Sequence, residues 1–116
     1  MQRRDKIVLQ KIISNIDLAI KFLGETSQED FLNDELLQHA EAMVSIKIGE
    51  LIKALTSEFR EQHNQIEWKK AAGYRDIVAH RYESLEMEIV YQTIKDSYPK
   101  MKIQIEKILE LDAQKN

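Results

Sequence analysis

Residues 68–82 combine a histidine, two arginines and several aromatic side chains that together suit chemistry on a phosphodiester. The segment holds four Lys or Arg and one acidic residue, a net charge of +3, whereas the whole chain carries −3. Histidine is the side-chain type best suited to proton transfer, which His80 supplies, and Arg75 has a guanidinium that can donate two hydrogen bonds to phosphoryl oxygens. We therefore predict His80 as a general acid or base and Arg75 as the stabiliser of a charged phosphoryl group.

The spacing of these residues predicts how a helix would present them. Asp76 and His80 are four apart and share a face, so Asp76 can accept a hydrogen bond from His80 and orient it. Arg75 and Tyr82 are seven apart and share another face. Arg75 and His80 lie about 140° apart, so both face one pocket only when a second copy of the chain completes it. The plainer alternative for Arg75 is a salt bridge to Glu50.

Composition narrows the classes of protein and of chemistry. The 116 residues suit one domain, and the absence of Cys excludes thiol nucleophiles, redox pairs and thiolate metal sites. His39 and His63 have no partners at ligand spacing, so we expect no metal site. The net charge of −3 argues against coating nucleic acid by bulk electrostatics. No apolar run approaches the length of a membrane span, and we expect a cytoplasmic protein without a membrane partner.

The first half of the chain predicts two long helices. Only 3 Gly and 1 Pro favour helices over a turn-rich β fold. Apolar residues at three- and four-residue steps predict a helix over 3–23, which Gly24 ends. Ser27 caps a short turn, and Asn33 or Asp34 begins a second long helix reaching about Glu61. Gly49 within that helix costs about 1 kcal/mol relative to Ala, which indicates the close approach of another backbone.

The second half predicts shorter helices. Gly73 acts as a break, a short helix follows over 74–81, Ser84 caps the next helix, and Pro99 suits the first turn of the last one. Trp68 is more often a core anchor than a platform for stacking bases. The architecture is all-α, an up-down bundle with one short extra helix, in a single domain over 1–112 followed by a tail over 113–116.

Several motifs resemble, in order along the chain, those of the HepT-like ribonucleases, a branch of the HEPN superfamily. Residues 75–82 match the R-x4-H-x-Y motif of that family. The sequence departs from the pattern at Asp76, where Asn is common, and at Leu51, where a small residue is common. The matches outside the motif are Arg4-Asp5, Phe31 with Asp34, Ile48-Gly49-Glu50 and Trp68.

The resemblance implies a function as well as a fold. Such proteins are all-α homodimers with the motif at the dimer cleft, and they act as metal-independent endoribonuclease toxins without a cofactor. Arg75 and His80 would then be catalytic, with RNA as the substrate. Lys69, Lys70 and Arg81 would guide the RNA, although Lys69 and Lys70 also suit a solvated surface.

The resemblance also implies a partner, an MntA-like nucleotidyltransferase antitoxin that transfers AMP to the motif tyrosine, here Tyr82. Tyr82 could instead simply cap the short helix. An added phosphate on the face of Arg75 would occupy the guanidinium and repel substrate. Two other functions stay open: a non-catalytic helical subunit that binds a nucleotide or a nucleotidyltransferase, and a purely structural helical dimer.

Overall fold

The computed structural model describes residues 1–115, and this part of the chain contains helices and no strands. The chain also forms a 3₁₀ turn over Tyr82–Ser84 and a π-helical turn over Thr93–Ser97. The chain is therefore all-α, as predicted. The α-helices are α1 (Arg3–Leu23), α2 (Gln28–Leu32), α3 (Glu35–Ala54), α4 (Ser57–Gln62), α5 (Trp68–His80), α6 (Met87–Gln92) and α7 (Tyr98–Gln114).

Local signals set the end of α1 and the starts of α2 and α3 as predicted. Gly24 ends α1 with a positive φ of 52°, which glycine adopts without the steric penalty of a Cβ. Ser27 caps α2 by accepting a hydrogen bond from the Asp30 amide, and Asp34 caps α3 by accepting one from the Leu37 amide. Short polar side chains at these positions therefore fix the chain reversal between α1 and α3.

The second long helix is shorter than its sequence predicts. It ends at Ala54, Leu55 is extended, and Thr56 caps a separate helix α4. The Asp5 carboxylate accepts hydrogen bonds from the Thr56 amide at 2.9 Å and from its hydroxyl at 2.7 Å. The prediction of one helix to Glu61 was therefore wrong. Asp5 and Thr56 are 51 residues apart, and the periodicity of apolar residues along one helix gives no signal of such a distant contact.

Helix α5 is longer than predicted and begins at Trp68 rather than Tyr74. Trp68 is buried, and its indole N–H donates to the His63 carbonyl at 3.0 Å, which anchors the start of the helix in the core. Gly73 lies inside the helix instead of breaking it. Ser84 does not cap α6 either, because its hydroxyl donates to the Arg81 carbonyl in the preceding turn.

The last two predicted helices are joined without a break. The π-helical turn connects α6 to α7, and Pro99 occupies the first turn of α7 as predicted. Proline removes an amide and crowds the preceding turn, and a widened turn accommodates it without ending the helix. Helix α7 continues to Gln114, so part of the predicted tail 113–116 is helical, and Asn116 lies outside the described residues.

The long helices form an antiparallel bundle. Asp5 near the start of α1 meets Thr56 after α3, and Lys102 of α7 contacts Asp17 of α1 at 2.6 Å. The core between them is apolar, and no helix in residues 1–115 has the length and hydropathy needed to cross a membrane. The most buried residues of the apolar core include Leu9, Ile12, Ile16, Ile48, Ile52, Val90, Ile94 and Ile105.

Candidate functional site

Helix α5 lies antiparallel against α3, and this pairing positions most of the predicted site. Arg75 meets Gly49 and Glu50, while Tyr82, just after α5, meets His39 near the start of α3. As residue numbers rise along α5, those of the contacted α3 residues fall. Contacts with α3 therefore position the motif residues Arg75 and Tyr82.

Gly49 provides the space that the Arg75 side chain occupies. A Cβ built on Gly49 would overlap the Cβ and Cγ of Arg75, and the Arg75 Cα would lie 3.4 Å away. A larger residue at this position would push α5 away from α3. The close approach predicted from a mid-helix glycine is thus confirmed, and the approaching group is the candidate catalytic arginine.

Two carboxylates hold the guanidinium of Arg75. Its Nε lies 2.6 Å from Glu50 Oε1, an ion pair without the alignment of a hydrogen bond, and its Nη1 donates to Asp76 Oδ1 at 3.2 Å. The Arg75 side chain is 20% exposed. Nη2 donates no hydrogen bond in the described part of the chain, so it is available to an incoming anion. The salt bridge to Glu50 and a phosphate-binding role are therefore compatible.

Asp76 contacts cations rather than His80. It accepts a hydrogen bond from Lys53 Nζ at 2.7 Å as well as the one from Arg75. The hydrogen bond from Lys53 is the main cause that lowers the pKa of Asp76, and the charges of Lys53 and Arg75 add to it. Among residues 1–115, Asp76 forms no hydrogen bond with His80. In this arrangement Asp76 orients Arg75.

His80 is the last residue of α5 and is exposed to solvent. Its imidazole forms no hydrogen bond, ion pair or ring contact within the described chain. Arg75 and His80 both lie within a continuous α-helix, so the angle of about 140° between them holds, and Arg75 faces α3 while His80 faces outward. One copy of the chain therefore does not bring the two side chains into contact.

Tyr82 does not share the face of Arg75, because α5 ends at His80 and the seven-residue spacing no longer applies. The Tyr82 hydroxyl lies 3.2 Å from His39 Nδ1, and the two rings are 4.8 Å apart between centroids. Along α3, His39 lies about 15 Å from the Gly49 position that holds Arg75. Burial raises the pKa of Tyr82, and the charges of Glu35 and Glu83 contribute.

His39 is the site neighbour that sequence reasoning missed. It is 43 residues from Tyr82, and nothing in the local spacing signals the contact. Its Nδ1 also lies 2.8 Å from the Glu35 carbonyl oxygen, which can only accept, so the ring nitrogen carries the proton there. The pair therefore presents Tyr82 with its hydroxyl directed toward the first turns of α3.

The predicted RNA-guiding cations lie at the two ends of α5. Lys69 and Lys70 are exposed in its first turn, and Arg81 is exposed just after its last residue. Lys69 and Lys70 line an open cleft of about 820 Å³ that also includes Arg60 and the edge of Trp68. Trp68 is only 4% exposed, which confirms it as a core anchor. Within residues 1–115, no group of His, Asp and Glu is arranged to hold a metal ion.

Comparison with known proteins shows which family this chain resembles. A family model described as Ribonuclease HepT-like matches residues 12–108, a range that includes the whole motif. A relative named "Probable ribonuclease HepT" from Thermococcus cleftensis is 32% identical over 93% of this chain and 98% of its own length. A relative named "Putative RNase TTE0752" from Caldanaerobacter subterraneus is 34% identical over 88% of this chain and 91% of its own length.

A third relative is a longer protein. The "Gamma-glutamylcyclotransferase and putative RNase MJ0434" of Methanocaldococcus jannaschii is 37% identical over 100% of this chain, which covers 53% of that relative. The chain thus spans about half of one relative and nearly all of the other two. No solved structure matches the chain significantly.

Proposed function

Because the chain belongs to the HepT-like ribonuclease family, we propose that it is a metal-independent endoribonuclease toxin whose catalytic residues are Arg75 and His80. The observation that carries this proposal is the built position of Arg75. Gly49 makes room for the side chain, Glu50 and Asp76 hold two of its nitrogens, and Nη2 is left for a substrate. An arginine that served only as a surface salt bridge would need no such glycine.

The reaction follows from the chemistry of these two side chains. The 2′-hydroxyl of a ribose attacks the adjacent phosphorus, an O–P bond forms, and the bond to the 5′-oxygen of the next nucleotide breaks. His80 moves a proton between the attacking and leaving oxygens, and Arg75 holds the negative phosphoryl oxygens. The products are a 2′,3′-cyclic phosphate and a 5′-hydroxyl, so the step consumes no metal, water or cofactor.

A homodimer is part of this proposal, because one chain keeps Arg75 and His80 on different faces. Exposed apolar side chains beside the motif support contact with a second copy: Met43 of α3 is 60% exposed and Ile77 of α5 is 47% exposed. Across a two-fold axis, His80 of one copy would complete the site at Arg75 of the other. In this proposal, the cleft lies between two copies of the single domain 1–112.

The cations of α5 supply the proposed RNA-binding surface. Lys69, Lys70 and Arg81 are exposed along a helix about 18 Å long, and the backbone of an RNA strand can follow it. Gly73 is exposed midway, and nothing lies within 4 Å of where its Cβ would be. The middle of the surface is therefore open to a nucleotide backbone.

Control by a nucleotidyltransferase antitoxin is the remaining part of the proposal. The Tyr82 oxygen would attack the α-phosphorus of ATP, forming a phosphodiester and releasing pyrophosphate and a proton. Within one chain the added charge would lie next to His80 and Arg81, about 15 Å along α3 from the position of Arg75. It would thus inhibit by repelling substrate near His80 rather than by occupying Arg75 of the same chain.

Cleavage of single-stranded RNA in the presence of EDTA tests the nuclease. His80→Ala and Arg75→Ala should each reduce the rate about 100-fold or more, with helical content unchanged. His63→Gln, a change in another histidine away from the motif, is the matched control. Unchanged cleavage by His80→Ala would refute the catalytic assignment, whereas the absence of cleavage by the folded wild-type protein would favour the binding-subunit alternative.

Mixing the two inactive variants tests the shared site. If Arg75 of one copy works with His80 of the other, a mixed dimer regains one intact site, and an equal mixture recovers about a quarter of wild-type activity. An inactive mixture of dimers that exchange subunits would show that each site uses one chain only.

Intact mass after co-expression with a nucleotidyltransferase tests the modification: a gain of AMP should vanish in Tyr82→Phe and persist in Tyr91→Phe.

A further inference from the structure

The four tyrosines of the chain differ in how accessible their hydroxyl groups are. The Tyr74 hydroxyl oxygen is buried. Tyr91 and Tyr98 are buried residues whose hydroxyls each donate a hydrogen bond of 2.9 Å to another group of the chain. Tyr82 is only partly buried and lies in the 3₁₀ turn that follows α5. Tyr82 is therefore the tyrosine whose oxygen a second protein can reach.

His39 makes the one hydrogen-bond contact of the Tyr82 hydroxyl within residues 1–115. Its Nδ1 lies 3.2 Å from the Tyr82 oxygen and 2.8 Å from the Glu35 carbonyl oxygen. Since a carbonyl oxygen can only accept, Nδ1 carries a proton and has no lone pair to offer Tyr82. The Tyr82 oxygen therefore accepts a share of this N–H, and no other group in the described chain holds the Tyr82 proton.

The other surroundings of Tyr82 oppose the loss of that proton. Burial raises the pKa of Tyr82 above its ordinary value of 10.0, and the charges of Glu35 and Glu83 raise it further. A hydroxyl attacks phosphorus well only when its oxygen gains negative charge, and a hydrogen bond donated to the ionised oxygen favours that form. The His39 N–H is the group in position to donate this hydrogen bond.

Two contacts hold the His39 ring beside Tyr82 before any partner binds. The Glu35 carbonyl holds Nδ1, and the two rings lie 4.8 Å apart between centroids with their planes at 47°. His63 makes a ring contact of the same kind without a hydroxyl, because its partner at 4.5 Å is Phe59. The pair of His63 and Phe59 therefore serves as a matched comparison for ring packing alone.

We propose that His39 is a positioning residue that activates Tyr82 for nucleotidyl transfer. This inference rests on the proposed modification of Tyr82 and adds the group that makes its oxygen reactive. The Tyr82 O–H bond breaks and the proton passes to water. The oxygen forms a bond to the α-phosphorus of ATP, and the bond from that phosphorus to pyrophosphate breaks. His39 keeps its own proton and donates a hydrogen bond to the Tyr82 oxygen until that oxygen has bonded to phosphorus.

Two variants of His39 separate hydrogen bonding from ring packing. His39→Phe keeps an aromatic ring and removes the N–H, whereas His39→Asn removes the ring and keeps an N–H donor. Asparagine suits this position because Asn15 and Asn33 each donate from Nδ2 to the carbonyl four residues earlier, at 2.9 Å. If the hydrogen bond matters, His39→Asn should behave like wild type and His39→Phe should not.

Titration of Tyr82 in the unmodified protein is the first measurement. Carbon-13 NMR of protein with labelled tyrosine rings follows each hydroxyl, and Tyr82→Phe identifies the signal. His39→Phe should raise the pKa of Tyr82 further, because the ionised oxygen loses its donor. His39→Asn and His63→Phe should leave that pKa unchanged. Equal pKa values in wild type and His39→Phe would overturn the proposal.

The rate of AMP transfer from ATP is the second measurement. Intact mass follows the reaction over time with the nucleotidyltransferase that modifies the protein in co-expression. His39→Phe should lower kcat about tenfold or more, the loss expected for a hydrogen bond to a charged oxygen, and leave the KM for ATP unchanged. The wild-type rate should rise with pH as Tyr82 ionises, and His39→Phe should need a higher pH for the same rise. His39→Asn and His63→Phe should match wild type.

The outcomes separate the role of His39 from the proposed modification. AMP transfer at equal rates to wild type and His39→Phe would overturn the role of His39 and leave the modification of Tyr82 standing. Transfer slowed equally in His39→Phe and His39→Asn would show that ring packing alone matters and would also overturn it. No AMP on the wild-type protein would refute the modification and, with it, this inference.

Discussion

Helix α3 shows two different ways of using one helix. Toward the core it contributes Ile48 and Ile52, which are buried with apolar residues of α1. Toward α5 it contributes Gly49 and Glu50, which make space for Arg75 and hold its charge. The first side stabilises the fold by apolar burial, whereas the second positions a charged group that burial alone would disfavour. Stability and function should therefore respond to different substitutions.

Truncation of the core should have the largest effect on stability. Ile16 of α1 is fully buried in the core shared with α3, so Ile16→Ala should lower the free energy of unfolding by about 2 to 5 kcal/mol. Ile20→Ala on the same helix, where the side chain is 38% exposed, should cost much less. Urea unfolding measures both. Equal losses in the two variants would contradict the assignment of the core side.

Glu41, also on α3, tests what happens when a buried carboxyl has no partner. Burial raises its pKa from 4.5 to about 8, so between these values the folded state holds a proton that the unfolded state has released. Folding is then increasingly disfavoured as pH rises, up to about 3 to 5 kcal/mol at pH 8 and above. Below about pH 4.5 both states are protonated and the penalty disappears.

Comparing Glu41→Gln with wild type should reveal this penalty. The variant should be more stable than wild type at pH 8, and the difference should shrink as pH falls toward 4.5. Exposed Glu110→Gln should show no such trend. Thermal unfolding across this pH range provides the measurement, and a constant difference would show that Glu41 is ionised in the fold.

The side of α3 that faces α5 should respond mainly in activity. Gly49→Ala would force the Cβ and Cγ of Arg75 away from α3, and displacing a catalytic group by about 1 Å can cost about 100-fold in rate, or about 2.7 kcal/mol. RNA cleavage normalised to folded protein measures the loss. Full activity would show that the position of Arg75 tolerates movement.

Gly73→Ala is the matched change with the smallest expected effect. Gly73 lies in the middle of α5 with nothing within 4 Å of its Cβ position, so alanine should stabilise the helix by up to about 1 kcal/mol. The same substitution should thus lower activity at Gly49 of α3 and raise stability at Gly73 of α5. Urea unfolding checks the gain, and a loss of stability would mean that another element contacts Gly73.

Sequence reasoning succeeded where the determining contacts are local. Gly24, Ser27 and Asp34 mark helix boundaries through their own backbone and side-chain preferences, and the apolar steps over 3–23 predict α1 in full. It failed where partners are distant. The end of α3 depends on Asp5 reaching Thr56, and the start of α5 depends on burial of Trp68.

The site shows the same division. A basic segment with Arg75 and His80 could be recognised from residue types, and Gly49 indicated a close approach before its partner was known. Two other contacts could not be recognised from the sequence: Tyr82 faces His39, and Asp76 pairs with Lys53. Each contact joins α3 to a residue at least 23 positions away. Helical spacing also stops applying once α5 ends at His80.

The sequence by itself determined an all-helical chain, its main amphipathic faces, and the residue types able to act on a phosphodiester, because these follow from composition and from periodicity along one helix. Only the tertiary structure decided how α3 holds Arg75, why Tyr82 lies apart from Arg75, and that His39 contacts the Tyr82 hydroxyl. Those features arise from packing between helices, and side chains far apart in sequence meet only after the chain has folded.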